Sequence, residues 1–528
     1  MENKTRNVLL IVLPYLLKVG GSTKKLRSYV AFPYGVLSMA TYLKTKSDHI
    51  DVQVLDCNII DGEQLIPIIK QTLAQFKPDV VGLSMMFDNS YKHIAGISAA
   101  IREYNKETVI VLGGSAATSS YPQILVEQKN IDAVCYYEGE VPLLKMLSSG
   151  NMHDFLENDV AWITADSIRK GKQPQKNSLP NLDDTIDIDY TFVDPDNYAM
   201  GEGFSPFANK NQERKQFFLV SSRGCPYICS FCIHTADADK SMRYASIKEI
   251  VKHVELLTSK YGMNTLTFYD DQILMNKARA KELFRALAPF KLRIECPNGL
   301  TVAFMDEEMI EVMHEAGMDT VCLAIESGAP YVLNKIIHKP LNLKQVFPVV
   351  KNLEKHNFWI HGFFVTGVPG ETDAHREETV QFIKDVGLDW SGFSLAVPSR
   401  GSVLYDICIK EGYIPKDLKI DELDANDYII NTPEYSAEYI KKKSYQMNLD
   451  VNFVNNKRMR LGDFRVAADA FRDVIKRYDN HAFAHYFLSK SLAALGKKKE
   501  AREAMKKYKE ILKADSVWKD HAEFFKLT

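Results

Sequence analysis

The chain has 528 residues, of which 46% are hydrophobic and 25% charged, with a formal net charge of −2. A chain of this length exceeds what one hydrophobic core can organise, so about three or four domains are expected. The longest apolar run, from Val8 to Leu17, is too short to cross a bilayer and carries no leader pattern. Eight cysteines in so long a chain are no disulfide framework, which favours a reducing, cytoplasmic location.

The first 150 residues alternate short apolar runs with stretches long enough to form helices. Runs rich in Val, Ile and Leu predict strands buried on both faces, and hence a flavodoxin-like parallel sheet between helices. These runs lie at 7–14, 52–57, 80–86, 108–114 and 133–139. Polar and glycine-rich turns follow them, and parallel sheets bind ligands beyond the carboxyl ends of their strands. We therefore expect a ligand-binding sheet edge in residues 1–150.

A second alternation of strands and helices follows a polar stretch, 151–205, which is predicted to be a linker. Six strand candidates lie at 216–224, 265–271, 292–298, 320–327, 359–367 and 390–397. Six successive βα units predict a partial (βα)6 barrel of the TIM type over 206–410, with its active site at the carboxyl ends of the strands. Residues 411–456 are predicted to extend this barrel.

Residues 457–528 change period and predict an all-α helical repeat pair. Leu461-Gly462 recurs 34 positions later as Leu495-Gly496, a period that resembles tetratricopeptide repeats. Two copies are too few to stand alone, so the pair is expected to pack against the body. The segment carries 18 Lys+Arg against 10 Asp+Glu, which fits a solvated surface as well as docking on an acidic one.

The repeats leave two roles open. They either bind a peptide or a protein partner in a concave groove or simply cap the barrel. Nucleic acid is not an expected partner, because no aromatic-rich basic motif occurs.

Three of the eight cysteines fall in one short motif, "SSRGCPYICSFCIH" at 221–234. Cys225, Cys229 and Cys232 are spaced Cys-x3-Cys-x2-Cys directly after the first barrel strand. A structural zinc site needs four ligands, and adding His234 would require a very tight wrap. A two-cysteine redox motif leaves the third cysteine unexplained. A [4Fe–4S] cluster fits better, since a short loop reaches three corners and leaves one iron open.

With this motif, residues 205–410 resemble the radical S-adenosylmethionine (SAM) superfamily. The resemblance implies that SAM binds the open iron and is split by one electron into a 5′-deoxyadenosyl radical. It also implies an external one-electron donor such as flavodoxin or ferredoxin. The stretch "FYDD" (268–271) lies where the family binds the amino group of SAM, and "AIESG" (324–328) lies where it binds the ribose or the carboxylate. The stretch "FFVTGVPGET" (363–372) resembles the strand beside the adenine, where Gly367 would let the adenine approach the backbone. The SAM-binding residues implied are Phe231, Asp270, Asp271, Glu326, Ser327 and Gly367.

Residues 1–150 resemble the cobalamin-binding domain that precedes the barrel in one radical SAM subclass. The similarity lies in "FPYGVLSMATYLK" (32–44), "VLGGSAATSSYP" (111–122) and "YYEGEVPLL" (136–144). Asn58 stands where the wider family has its cobalt-ligating histidine, which implies cobalamin (vitamin B12) without a histidine lower ligand. Met85 or Met86 is then expected to cover the lower face. The cobalamin-binding residues implied are Asn58, Ser84, Met85, Gly113, Gly114, Glu138, Gly139 and Glu140.

Together the two resemblances point to a cobalamin-dependent (class B) radical SAM enzyme. The activity implied is methylation of an unactivated carbon, by way of a 5′-deoxyadenosyl radical and methylcobalamin, on a small-molecule or peptide substrate. The alternatives are a cobalamin-dependent rearrangement or cyclisation without methyl transfer and, more distantly, a non-catalytic corrinoid or iron–sulfur sensor. A methylthiotransferase would carry a second cysteine triad in the first domain, which has only Cys57 and Cys135.

Overall fold

A computed structural model describes residues 5–15, 32–198, 214–233, 240–423 and 427–527. His234, considered above as a metal ligand, lies outside the described residues. The chain forms two compact units. Of the described residues, those before Gly201 and those within Arg214–Ile273 and Val397–Asp427 belong to the first unit, and those within Leu274–Ala396 and Tyr428–Thr528 belong to the second. No helix in the described ranges has both the length and the apolar character that crossing a bilayer requires.

The first unit contains a six-stranded sheet in the order β2-β1-β3-β4-β5-β6. Its strands are β1 (Arg6–Val12), β2 (Ile50–Asp56), β3 (Val80–Ser84), β4 (Val109–Gly113), β5 (Ala133–Cys135) and β6 (Trp162–Ile163). The first five are parallel, while β6 runs antiparallel to β5. The sequence predicted five strands at these places and a parallel sheet, and both are confirmed. The sixth strand falls in the segment that was predicted to be a linker.

Helices cover both faces of this sheet because its central strands are apolar on both sides. Leu9 and Ile11 of β1 enter one core, whereas Val8 and Leu10 enter the other. Successive side chains of a strand point to opposite faces, so a strand between two helical layers needs a continuous apolar run. The helices are Tyr34–Lys46, Leu65–Phe76, Ile94–Tyr104, Ser115–Glu127, Glu140–Leu147, Met152–Asn158 and Ala165–Arg169.

The remainder of the first unit holds two further strand pairs. Strands β7 (Gln216–Leu219) and β10 (Thr265–Phe268) are parallel. Between them in sequence, β8 (Ser222–Arg223) and β9 (Arg243–Tyr244) form a short antiparallel ribbon. Helix Ile247–Tyr261 follows the ribbon, and helix Val403–Glu411 belongs to the same unit.

The second unit contains β11 (Arg293–Glu295) and a parallel three-stranded sheet in which β13 is central. The sheet consists of β12 (Thr320–Glu326), β13 (Trp359–Thr366) and β14 (Trp390–Leu395). Strands thus occur at all six places predicted in 206–410, and the mixed α/β class with parallel sheets is confirmed. The accompanying helices are Lys277–Leu287, Glu307–Glu315, Val346–Lys355 and Asp373–Val386.

The end of the chain is helical and packs on the strands of the second unit. Gly462 and Gly496, 34 positions apart, both adopt left-handed φ angles of 75° and 77°, so the same turn occurs twice. Trp390 of β14 packs against the core of these helices, and its ring lies 5.5 Å from that of Phe453. The helices are Ala437–Leu449, Lys457–Arg460, Phe464–Arg477, Ala482–Ala494, Lys498–Ala514 and Ser516–Phe524. The expected packing against the body is therefore observed within this unit.

Candidate functional site

The cysteine motif lies in the loop that connects the two strands of the β8–β9 ribbon. Ser222 pairs with Tyr244, and Arg223 pairs with Arg243, so the ribbon closes the base of a loop over 224–242. Just outside the ribbon, the amide of Ala245 donates to the carbonyl of Ser221 at 3.0 Å. The three cysteines are therefore carried by one loop whose two ends are fixed next to each other.

Within the loop, the last two cysteines lie on one tight turn. The amide of Cys232 donates to the carbonyl of Cys229 at 3.0 Å, and the amide of Leu404 donates to the carbonyl of Ser230 at 2.8 Å. Cys229 is buried, whereas Cys225, Cys232 and the neighbouring Phe231 are half-buried. None of the eight cysteines forms a disulfide.

The donor set of this loop fits an iron–sulfur cluster. Among the described residues, no group of three or more Cys, His, Asp or Glu side chains is arranged so that it could hold a metal ion. The fit therefore depends on the chemistry of the donors: thiolates ligate iron, and three of them leave one iron of a cubane open. A redox-inactive zinc site would need a fourth protein ligand to close it.

Asp270, which was expected to contact the SAM amino group, anchors the base of the cysteine loop. Its carboxylate accepts from the Ser221 amide at 2.9 Å, the Ser221 hydroxyl at 2.7 Å and the Ser222 hydroxyl at 2.5 Å. Asp270 is only 4% exposed, while its neighbour Asp271 is half-buried. Three donors on one buried carboxylate give it a structural role that the sequence did not reveal.

In the second unit, Glu326 is paired with a lysine that the sequence analysis did not single out. Lys339 Nζ donates to Glu326 Oε1 at 2.8 Å, and both side chains are almost fully buried. Glu326 adopts a left-handed φ of 71° at a register shift in β12. The adjacent Ser327 hydroxyl is used within the protein, since it lies 3.3 Å from Thr379 Oγ1 and accepts from the Ala329 amide at 3.1 Å.

The structure shows a packing reason for glycine at position 367. A Cβ atom there would lie 2.8 Å from both Tyr428 Oη and Ile440 Cγ2, so side chains already fill the space next to this residue. The amide of Gly367 donates to Glu371 at 2.7 Å, and its carbonyl accepts from Tyr428 at 2.5 Å. Glycine is required here by its φ of 83° and by close packing, because a larger residue would be strained and would clash.

The carboxyl ends of the first sheet bring together most of the residues predicted to bind cobalamin. Val12, Ser84 and Gly113 end β1, β3 and β4 in matching register. Gly114 has φ 112°, and a Cβ on it would lie 2.3 Å from the carbonyl oxygen of Met85. This turn therefore requires glycine, which keeps the backbone of the edge free of side chains.

Met85 itself does not cover a ligand at this edge. Its side chain is fully buried in the core of the first sheet, whereas Met86 and Phe87 are 52% and 49% exposed. Of the two methionines that were considered, only Met86 can present apolar surface. Phe87 also packs against Tyr15, with ring centroids 5.0 Å apart, a contact that no sequence pattern indicated.

Asn58, which stands at the histidine position, is a structural residue. Its Oδ1 accepts from the Tyr15 amide at 2.8 Å, and its Nδ2 donates to Asp56 Oδ1 at 2.9 Å. Tyr198 donates to the other oxygen of Asp56 at 3.1 Å, so the buried Asp56 carboxylate is also engaged. With both ends of the amide engaged, Asn58 has no free donor atom for cobalt.

Glu138 and Glu140, also predicted to contact cobalamin, are paired with arginines of the β8–β9 ribbon. Arg243 Nη2 lies 2.6 Å from Glu138 Oε1, and Arg223 Nη2 lies 2.8 Å from Glu140 Oε1. Gly139 lies between them, and a Cβ on it would lie 2.8 Å from Met39 Cε. The two carboxylates are thus already engaged within the protein.

Comparison with known proteins identifies both halves of this site. Residues 219–383 match the radical SAM superfamily, and residues 27–147 match the B12 binding domain. The cytidylyl-2-hydroxyethylphosphonate methyltransferase of Streptomyces wedmorensis is 29% identical over 413 residues, covering 73% of this chain and 77% of that protein.

Solved structures show the same fold over nearly the whole chain. The radical SAM methyltransferase TsrM from Kitasatospora setae, with cobalamin and a [4Fe–4S] cluster bound, aligns with a TM-score of 0.63 at 14% identity, covering 97% of this chain and 100% of that one. The cobalamin-dependent radical enzyme OxsB aligns with a TM-score of 0.64 at 14% identity, covering 97% of this chain and 80% of that one.

The cofactors are therefore a [4Fe–4S] cluster, SAM and cobalamin. The chain thus contains a B12 binding domain followed by a radical SAM domain that holds the three-cysteine loop, and it is similar over most of its length to cobalamin-dependent radical SAM enzymes.

Proposed function

We propose that the protein methylates an unactivated carbon of a small-molecule substrate. The observation that carries the proposal is the loop of three cysteines closed by the β8–β9 ribbon, in a chain whose first sheet has the cobalamin edge described above. When bound, the cluster supplies the electron that splits SAM into a hydrogen-abstracting radical, and cobalamin supplies the methyl group. A donor such as flavodoxin or ferredoxin would provide the electron.

The side chains of the protein hold these groups and exclude water. Cys225, Cys229 and Cys232 would ligate three irons, and Phe231, between two of these ligands in sequence, would line the open iron. Asp271, half-buried beside the anchored Asp270, is the carboxylate that we assign to SAM. In the second unit, Glu326 would bind SAM while Lys339 holds its carboxylate in place.

The finer architecture belongs to the same proposal. The strand order β2-β1-β3-β4-β5 supports a flavodoxin-like first domain, and the parallel pairs β7–β10 and β12–β13–β14 support a partial barrel. The two left-handed glycine turns support a tetratricopeptide-like repeat pair that caps the second unit. Eight cysteines in 528 residues, too few for a disulfide framework, support a reducing, cytoplasmic location.

A cytidylylated hydroxyalkylphosphonate is the first substrate to test. The support is that a relative 29% identical over 413 residues is a cytidylyl-2-hydroxyethylphosphonate methyltransferase. The product would carry one additional methyl group on a carbon, with the displaced hydrogen atom found in 5′-deoxyadenosine.

The test is anaerobic reconstitution with iron, sulfide and cobalamin, followed by incubation with SAM, a low-potential reductant and this substrate. Methylation requires both 5′-deoxyadenosine and S-adenosylhomocysteine, with a product heavier by one methyl group. A product of unchanged mass with 5′-deoxyadenosine alone would replace methylation by a rearrangement. Cobalamin binding without any SAM cleavage, with or without the substrate, would make the protein a sensor.

Matched variants separate the cluster from general thiol effects. Replacing Cys225, Cys229 and Cys232 together by alanine should abolish 5′-deoxyadenosine formation. Cys408→Ala, which removes a buried helical thiol outside the three-cysteine motif, should leave it intact. Full SAM cleavage by the triple variant would overturn the assignment of the cluster.

A further inference from the structure

We infer that Glu138 and Glu140 of the cobalamin-binding domain are positioning residues for the cysteine loop. Together with Arg223 and Arg243 they form a cluster of ion pairs across the base of that loop, which we call the clasp. The inference rests on the assignment of the iron–sulfur cluster to the cysteine loop. It goes beyond that assignment because it gives two residues of the cobalamin-binding domain a role in the iron–sulfur site.

In the clasp, the Glu138 carboxylate is shared by two guanidinium groups. Glu138 Oε1 lies 2.6 Å from Arg243 Nη2 and 3.3 Å from Arg223 Nη1, so one carboxylate oxygen bridges both guanidinium groups. Glu138 Oε2 lies 3.0 Å from Arg243 Nη1. Arg223 Nη2 also donates to Glu140 Oε1 at 2.8 Å.

Backbone groups complete the clasp. The amide of Leu179 donates to Glu138 Oε2 at 2.5 Å, and Arg243 Nη1 donates to the carbonyl of Leu179 at 2.9 Å. The four charged side chains are only 7–20% exposed. Charges this deeply buried are stable only while they are paired, because removing one partner leaves an uncompensated charge away from water.

The clasp neutralises a local repulsion between two arginines of the ribbon. Arg223 and Arg243 are directly opposed across β8 and β9, and like charges directly opposite one another destabilise a strand pair. The two glutamates neutralise this repulsion. Without them, the repelling arginines would open the ribbon where the loop begins.

The ribbon also needs outside support because it is short. Each strand has two residues, and a two-stranded ribbon of that size is not stable alone in water. Asp270 fixes Ser221 and Ser222 on one side of the base, and the clasp fixes Arg223 and Arg243 next to them. Only Gly224 separates Arg223 from Cys225, so a displaced Arg223 would move the first cysteine with it.

The structure therefore makes cluster assembly depend on two carboxylates that the cobalamin-binding domain supplies. Glu138 and Glu140 follow β5, whose carboxyl end belongs to the edge predicted to hold cobalamin. Neutralising them should loosen the loop and lower its iron content, while the sheet edge, with its glycine turn at Gly114, still binds cobalamin.

The test compares full-length Glu138→Gln and Glu140→Gln with a matched control. Asp132→Asn weakens the Arg102–Asp132 pair, which lies in the same unit at 2.7 Å with side chains 21% exposed, but at the start of β5 rather than after its carboxyl end. Each protein is reconstituted anaerobically with iron, sulfide and cobalamin, without substrate. The readouts are iron per chain, the electron paramagnetic resonance signal of the dithionite-reduced cluster, and bound cobalamin.

Both glutamine variants should bind several-fold less iron than Asp132→Asn and the unaltered protein, with cobalamin retained. In the metal-free proteins, amide exchange at Ala245 and in 224–233 should be about 100-fold faster for the glutamine variants than for Asp132→Asn. Equal iron content and equal exchange in all variants would overturn the inference. Loss of cobalamin with an intact cluster would overturn it too, by making the glutamates cobalamin contacts.

A charge-swapped variant, Glu140→Arg with Arg223→Glu, keeps the test valid if a single variant folds poorly. It should recover part of the iron content lost by either single change, and failure to recover any would count against the clasp. None of these readouts requires turnover. If the unaltered protein bound zinc in place of iron, the cluster assignment would fail, and unequal loop exchange would still support the clasp.

Discussion

Lys339 and Glu326 form a buried ion pair. Among the described strand residues of the β12–β14 sheet, Glu326 is the one with a left-handed backbone. The Nζ to Oε1 distance is 2.8 Å, and Glu326 has φ 71° at the end of β12. A left-handed conformation in a residue with a side chain costs about 1–3 kcal/mol, and such strain collects at functional sites. The ion pair holds the carboxylate in the position that this backbone dictates.

The first prediction concerns this pair. Lys339→Met should lower the free energy of unfolding by about 3–5 kcal/mol, because it leaves the Glu326 carboxylate buried and unpaired. It should also weaken SAM binding, measured by equilibrium dialysis, because Glu326 would no longer be held. Lys355→Met provides the control, since its pair with Glu307 has side chains 57% and 74% exposed. That control should lose no more than about 1 kcal/mol.

The second prediction concerns the lower face of cobalamin. Because Asn58 stands at the position of the family's cobalt-ligating histidine and both ends of its amide are engaged, reduced cobalamin in the protein should show no nitrogen superhyperfine splitting from residue 58 in its electron paramagnetic resonance spectrum. Asn58→Ala should leave this spectrum without nitrogen splitting. It should lower the free energy of unfolding by about 1–3 kcal/mol, because it leaves buried polar partners without their hydrogen bonds. A spectrum with nitrogen splitting that persists in the alanine variant would show a different nitrogen ligand.

The strands were predictable because their signal is local. A strand covered on both faces, such as β1, must be apolar at every buried position, and "VLLIV" (8–12) shows this directly in the sequence. The cysteine spacing is equally local, since three ligands of one cluster lie within eight positions. Both features could therefore be predicted without knowing what packs against them.

The partners of the polar residues could not be predicted in this way. Glu140 and Arg223 are 83 positions apart, and nothing near either residue indicates the other. The motifs "EGE" and "SSRG" both lie in segments predicted to form sites, but their contacts depend on how distant segments fold together. The same holds for Asp270, which the sequence assigned to SAM and which the structure shows bonded to Ser221 and Ser222.

The third prediction concerns the attachment of the C-terminal helices. Asp389 is buried and accepts from Arg458 Nε at 2.6 Å and from the Ile360 amide at 2.9 Å, which ties the helices to β13. Arg458→Leu should lower the free energy of unfolding by about 1–3 kcal/mol, because the buried Asp389 carboxylate loses one hydrogen-bond donor but keeps Lys457 Nζ at 3.3 Å. Urea denaturation measures this effect. Arg472→Leu breaks a pair whose side chains are 40% and 49% exposed, and it should cost about 1 kcal/mol or less.

The fourth prediction is a loss of stability in mild acid that originates in buried histidines. Burial lowers the pKa of His481 from 6.5 to about 4, and it lowers the pKa of His361 to about 4 as well. Between these pH values the unfolded chain takes up a proton at each site and the folded chain does not. The contribution is therefore fully present above about pH 6.5 and is lost as the pH falls toward 4, by about 3 kcal/mol per histidine.

Asparagine at position 481 isolates this effect. His481 Nδ1 accepts from the Ala484 amide at 3.1 Å and so caps helix Ala482–Ala494. Asparagine also caps helices well but does not titrate. The free energy of unfolding of His481→Asn should therefore fall less steeply than that of the unaltered protein between pH 6.5 and 4, by up to about 1.4 kcal/mol per pH unit. Urea denaturation at pH 4.5, 5.5, 6.5 and 8 measures the difference between the two curves. Parallel curves across this range would mean that His481 takes up its proton in the folded protein.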